Sequence, residues 1–190
     1  MLCGFCTNAF AQSCNENLKE STPNTRFQRN ADNSLTDKIT GLQWAACSLG
    51  QRWRHGFCQG EAHNVPFAIA SLVTEDGWRI PQLAELSSLV ELRCIHPAVN
   101  AQIFPNTLAA PYWTATRFVN TDGYYWQVNF MHGESGSAPV DSKAFLRLVK
   151  KAVSLNSNLI KYGSTIDPMG NIDNAETPGT RQDRKDAEKE

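Results

Sequence analysis

The sequence predicts an α+β domain with two helices on small antiparallel sheets, and three observations predict it. Leu83, Leu86, Leu89 and Val90 recur at spacings of three and four, which is one apolar stripe of a helix. Tyr124, Trp126, Val128 and Phe130 alternate with Tyr125, Gln127, Asn129 and Met131, the period of a strand with one buried face. Cys14, Cys47, Cys58 and Cys94 form an even set once an export signal is set aside, which implies two disulfides.

That signal is read at residues 1–11. Met1 to Ala11 is uncharged, apolar and small, and Ala9-Phe10-Ala11 before Gln12 fits a small-x-small cleavage site. Its basic start is expected upstream of Met1, or to have been lost by trimming of the N-terminus. Cys3 and Cys6 would leave with it. Among the four remaining cysteines, Cys47 and Cys58 flank a short polar segment containing Gly50 and Gly56 and are paired as a local staple. Cys14 and Cys94 then close a long loop. Each bridge is expected to stabilise by about 2–4 kcal/mol. The expected location is secreted, periplasmic or on a bacterial surface.

Bulk properties set further bounds. A length of 190 residues suits one domain with a real core. A net charge of −1 provides no global field toward nucleic acid or an anionic membrane, so no nucleic-acid partner is expected. No apolar run approaches the roughly 20 residues that span a bilayer.

Along the chain, residues 12–25 are polar and read as an arm, followed by a domain over 26–153. Arg26 to Trp44 reads as a hairpin turning at Asp32-Asn33-Ser34, where short side chains bond their own backbone. Leu35, Ile39, Leu42 and Trp44 supply its apolar residues, and 48–60 reads as a loop. Ala62, Phe67, Ala70, Leu72 and Val73 suggest a first helix over about 61–74, with Pro66 confining its start. Pro81 opens the second helix. Residues 95–111 carry three prolines and read as irregular. Strands are expected at Tyr112–Phe118, Tyr124–Met131 and Ala144–Val149, with turns at Asn120–Gly123 and His132–Glu134. Residues 154–190 lack a periodic apolar pattern and are expected to be a disordered tail, because burial cannot offset their ordering entropy.

Several blocks carry a family likeness. Asp37-Lys38-Ile39-Thr40-Gly41-Leu42-Gln43-Trp44 resembles the opening motif of the DUF1566, or Lcl C-terminal domain, family. Gly77-Trp78-Arg79-Ile80-Pro81 with Glu85-Leu86 resembles its second motif. Asn100 to Pro105 with Tyr112-Trp113-Thr114-Ala115-Thr116 resembles its third, and Phe145-Leu146-Arg147-Leu148-Val149 its last strand. Cys47, Cys58 and Cys94 stand where many members have cysteines. The resemblance implies a C-type-lectin-like fold related to formylglycine-generating enzymes. It also implies surface or secreted proteins, some of which bind glycans or host surfaces. Read structurally, Trp44, Trp78 and Trp113 are expected in the core, and Arg79 is expected to pair with Glu85.

No enzyme, cofactor or metal is expected. The oxidase chemistry of the related enzymes needs a late cysteine pair, and no cysteine follows Cys94. Cys47, His55, Cys58 and His63 are zinc-type ligands, but an oxidising compartment favours the disulfide. Asp32, Asn33 and Asp37, or Asn120 and Asp122, offer hard oxygens of the calcium type, and turn duty explains them better.

A binding role rests on the aromatic and polar density between Tyr112 and Lys143. Trp126, Val128 and Phe130 are expected to point inward, since burying each gains about 1.5–3 kcal/mol. The candidate ligand-binding residues are therefore Arg117, Asn120, Asp122, Tyr125, Gln127, Asn129, His132 and Glu134, on the other face and its flanking loops. Arg52, Arg54 and His55 form one basic loop and Arg147, Lys150 and Lys151 another, which makes acidic polysaccharide one class of partner. The leading function is an exported, non-catalytic binding or adhesion module for a glycan or surface protein. The alternatives are an accessory subunit of a surface assembly and a degenerate oxidase.

Overall fold

Proline, glycine and turn chemistry cut this chain into short elements. The structure is a computed structural model, and it describes residues 11–152 apart from Thr74. The expected signal, except Ala11, and the expected tail lie outside the described residues.

In chain order the elements are β1 (Ser13–Cys14), a 3-10 turn (Asn24–Arg26), β2 (Phe27–Arg29), β3 (Leu35–Asp37) and β4 (Leu42–Trp44). Then come β5 (Arg52–Arg54), β6 (Phe57–Gln59), β7 (Val65–Pro66), α1 (Phe67–Ala70), α2 (Leu83–Ser87) and β8 (Cys94–Ile95). The last are β9 (Pro111–Arg117), β10 (Tyr124–Asn129), β11 (Glu134–Pro139), β12 (Lys143–Ala144) and β13 (Val149–Lys151). They form a four-stranded sheet in the order β13-β4-β3-β2, a three-stranded sheet β11-β10-β9, and three two-stranded pairs. All pairings between these strands are antiparallel, and an isolated parallel bridge joins Tyr112 to Phe145. Few short helices, several small antiparallel sheets and two disulfides make this an α+β fold. Cys14–Cys94 joins β1 to β8 across 80 residues, and Cys47–Cys58 closes a loop of 11. Two disulfides point to an oxidising compartment. Among the described residues, no helix is long and apolar enough to cross a membrane.

Four expectations need correction. The hairpin over 26–44 is a three-stranded meander, because a second tight turn follows Asp37. The Asp37 carboxylate accepts the Ile39 N–H at 3.0 Å and the Thr40 hydroxyl at 2.7 Å, and Gly41 takes φ +67°. This leaves Ile39 73% exposed, outside the core. The segment read as a loop contains the β5–β6 hairpin, turned by His55 and Gly56 at φ 53° and 91°. Two successive positive φ values are what a two-residue hairpin turn requires. The first helix shrinks to the single turn α1, because Pro66 is extended and β7 before it pairs with β12. The closing strand over 144–149 is strand only at its ends, Ala144 in β12 and Val149 in β13, and residues 145–148 between them are a strap. It bonds to Trp113 through Phe145, to Leu49 through Leu146 and to Ala45 through Leu148.

The second helix is short, and its apolar stripe behaves as expected. Leu86, Leu89 and Val90 are buried and Leu83 packs beside them. The Glu85 carboxylate accepts the Gln82 N–H at its start and pairs with Arg79 through two bonds of 2.7 Å. Those Arg79 bonds hold the Glu85 carboxyl below its ordinary pKa against partial burial.

The core has two clusters, and the β9–β10 sheet lies between them. Phe27, Leu35, Trp44, Phe104, Tyr112, Val128 and Phe130 belong to the first cluster. Trp113, Ile80, Ala70 and Leu146 form the second, with Phe67 and Tyr125 packed against it. Adjacent residues of one strand, Tyr112 and Trp113, therefore feed opposite clusters, as the alternation of side chains along a strand requires. Trp44 and Trp113 are fully buried, as expected. Trp78 is only half-buried, with the Lys150 ammonium 4.4 Å from its ring centre. Arg147, expected on a basic patch, is fully buried.

Candidate functional site

The strand alternation groups the expected site residues correctly by parity but not by exposure. Val128 and Phe130 are buried in the first cluster. Trp126, expected beside them in the core, is half-buried and meets Phe118 edge-on at 5.3 Å. A register shift between Tyr125 and Gln127 interrupts the pairing with β9 at that point. Tyr125, expected to face outward, stacks on Phe67 with ring centres 3.7 Å apart. α1 covers that end of the face. Tyr125→Ala is thus expected to lower stability by about 1–2 kcal/mol, from lost stacking and burial. Thermal unfolding checks this, and an unchanged melting temperature would contradict it.

The other expected residues separate into two groups, because β10 runs about 17 Å between its ends. At the β9–β10 turn, Arg117 stands 3.8 Å from Asp122, both exposed, with Asn120 nearby in the turn. An exposed pair at that distance organises little. At the opposite end lie Asn129, His132 and Glu134. Asn129 Oδ1 accepts the Met131 N–H at 2.9 Å and shapes the turn. His132 meets His96 edge-on at 4.9 Å.

Three of the eight residues meet in one groove. Gln127, Asn129 and Glu134 line it with Pro111, Ser135, Gly136 and Ser137, around a cavity of about 160 Å³. Gln127 is 8% exposed, and its Nε2 is buried with no hydrogen-bond partner. Gly136 pairs opposite Gln127, and a Cβ placed on it would meet nothing within 4 Å.

A larger cleft of about 430 Å³ opens elsewhere, where the β2–β3 turn meets the chain leaving β4. Asp32, Cys47, Gln51, Trp53 and Trp78 are among its lining residues. Sequence reasoning missed it. The available signal was Trp53 between two arginines, an aromatic ring in a polar segment bounded by cysteines. The Arg29 guanidinium lies 3.7 Å from the Trp53 ring centre. Asp32 accepts the Ser34 N–H at 3.0 Å, the Ser34 hydroxyl, and Gln43 Nε2 at 3.2 Å. The Ser34 bonds, aided by the Lys150 charge, hold the Asp32 carboxyl below its ordinary pKa. Gln51 Nε2 points at Gly60 O, 3.5 Å away, and its Oε1 is buried without a partner.

Four of the residues weighed as metal ligands are otherwise occupied. Cys47 and Cys58 are bonded to each other, while Asp32 and Asp37 accept hydrogen bonds within their turns. Among the described residues, no group of three or more His, Cys, Asp or Glu is placed to hold a metal ion.

A family model described as the Lcl C-terminal domain matches residues 33–150, more than half of the chain. No curated protein matches it.

Proposed function

The chain belongs to the Lcl C-terminal domain family, and from that premise we propose that it is an exported, non-catalytic binding module on a C-type-lectin-like scaffold. Its setting is a bacterial surface or periplasm, and its partner is a glycan or a surface protein held in the β10–β11 groove.

The observation that carries this reading is the Gln127 amide. It is more than nine-tenths buried, its Nε2 has no partner, and it lines an open groove. A buried donor left unsatisfied costs about 1–3 kcal/mol. An acceptor on a partner recovers that cost at the moment of binding. Beside it, Asn129 uses Oδ1 within the turn while its Nδ2 remains a donor, and Glu134 supplies an acceptor. Two donors and an acceptor along one groove suit a hydroxyl-rich or peptide-like surface.

Gln127→Leu tests this. Leucine removes the unsatisfied donor at similar volume, so the variant is expected to melt at the same temperature as the parent or higher. Binding on a glycan array and to intact cell surfaces is expected to fall about ten-fold, the loss of roughly 1.4 kcal/mol of contact. Gly136→Leu, which fills the groove, is expected to abolish binding. Full binding by both variants would remove the groove from the function.

A further inference from the structure

We propose that the cleft lined by Asp32, Gln51, Trp53 and Trp78 is a second binding site, and that it takes a neutral, polyhydroxylated ring such as a hexopyranose unit. It does not depend on the β10–β11 groove.

The chemistry follows from what lines the cleft and what stands behind it. Trp53 and Trp78 provide flat apolar area, which matches the C–H face of a sugar ring, since indoles combine large contact area with few rotatable bonds. Among the polar groups at hand, two are acceptors that a ligand can complete. Asp32 is a carboxylate, and the buried Gln51 Oε1 has no partner. A ligand that completes them must donate hydrogen bonds.

Charge narrows the class further. Of the described residues lining the cleft, Asp32 alone is charged, and Arg29 and Lys150 are not among them, so an anion placed there meets a negative charge first. A cation fares no better. Arg29 stands 3.7 Å from the Trp53 ring centre and Lys150 4.4 Å from that of Trp78. Both indoles already hold a cation, and a further one would be repelled by the first. A neutral donor avoids both penalties, and hydroxyl groups on a ring supply donors and apolar C–H surface together.

The sequence around the cleft is built to hold this shape. The Cys47–Cys58 disulfide closes the segment that carries Gln51 and Trp53. Trp53 packs against the first core cluster, which fixes its ring. A site assembled from locked side chains loses little entropy on binding.

The test uses the full chain and calorimetric titration with neutral tetrasaccharides of glucose, mannose, galactose and N-acetylglucosamine. A sulfated and a uronic-acid tetrasaccharide serve as charged comparators. At least one neutral sugar is expected to bind with a dissociation constant below about 1 mM, with a change in tryptophan fluorescence. Gln51→Met removes the unpartnered acceptor, so it is expected to keep the parent's melting temperature while weakening that sugar at least five-fold. Gly136→Leu, in the other groove, is expected to leave it unchanged. Three results would each overturn the proposal: no neutral sugar bound at 10 mM (about 2.7 kcal/mol at 25 °C), binding confined to the acidic sugars, or full affinity in Gln51→Met. Loss of neutral-sugar binding in Gly136→Leu would assign the sugar to the groove and not to the cleft.

Discussion

Asp37→Ala is expected to destabilise the domain by about 3–5 kcal/mol, the usual result of removing one partner of a buried ion pair. The Asp37 side chain is 0% exposed and that of Arg26 7%. Arg26 donates through Nε at 2.9 Å and Nη2 at 2.5 Å to the two carboxylate oxygens. The same carboxylate accepts from Ile39 and Thr40 and so shapes the turn into β4. Alanine leaves the guanidinium buried without its counter-charge, and it unties the turn. Arg26→Leu combined with Asp37→Leu is expected to recover part of the loss, since the stranded charge is gone. Urea unfolding at constant m value measures both, and a cost below about 1 kcal/mol for Asp37→Ala would contradict the argument.

The same pair sets a pH dependence. Burial pushes the Asp37 pKa up, but the hydrogen bonds from Arg26, Thr40 and Ile39 outweigh it and hold the pKa below its ordinary value. Glu91 shifts in the same direction, with burial opposed by bonds from Ser21, Thr22 and Arg93. A carboxyl whose folded pKa is depressed binds fewer protons in the folded state. Its contribution is complete above the unfolded pKa, near pH 4, and is lost as pH falls through the folded value. Stability is therefore expected to be flat with respect to these groups above about pH 5 and to fall below it. Asp37→Ala should show a shallower acid loss.

Much of this fold is legible because its local rules agree. The block from Asp37 to Trp44 reads as turn, glycine and strand, and each part has a physical role here. Asp37 caps the turn, Gly41 takes the left-handed φ, and Trp44 enters the core. Cysteine parity and spacing were enough for both disulfides. What failed was set by distant partners that leave no local mark. Tyr125 reads as outward because β10 alternates, yet Phe67, from a one-turn helix far back in the chain, covers it. Ala62, Phe67 and Ala70 look like one helical stripe, but Pro66 delays the helix to Phe67, so Ala62 is cut off from the single turn that holds Phe67 and Ala70. In the groove, the alternation put Gln127 and Asn129 on one face, and the β11 pairing that brings Glu134 opposite Asn129 follows from the short turn between them. The cleft had no such local signature, since Asp32, Trp53 and Trp78 come from three separate segments.

Arg147→Leu is the second large effect, and two opposed terms decide it. Arg147 is 0% exposed, and no ion pair with a carboxylate is found for it among the described residues. Burial pushes its pKa down, which means that the fold pays to desolvate the cation. Leucine would remove that cost. Against it stand the groups the guanidinium satisfies. Nη1 donates to the carbonyls of Ala45 at 2.8 Å and Ala46 at 2.5 Å, and Nη2 to the Thr107 hydroxyl at 2.7 Å. Phe104 lies 4.9 Å from the guanidinium carbon. Each carbonyl left unpaired costs about 1–3 kcal/mol, and the shorter leucine adds a cavity. Three stranded partners outweigh one relieved cation, so a net loss of about 2–4 kcal/mol is expected. The damage should also be local. Ala45 and Ala46 begin the segment that runs through Cys47 into the cleft, and amide exchange at residues 45–51 is expected to quicken more than at β10. A leucine variant as stable as the parent would show that desolvating Arg147 costs the fold as much as its hydrogen bonds return.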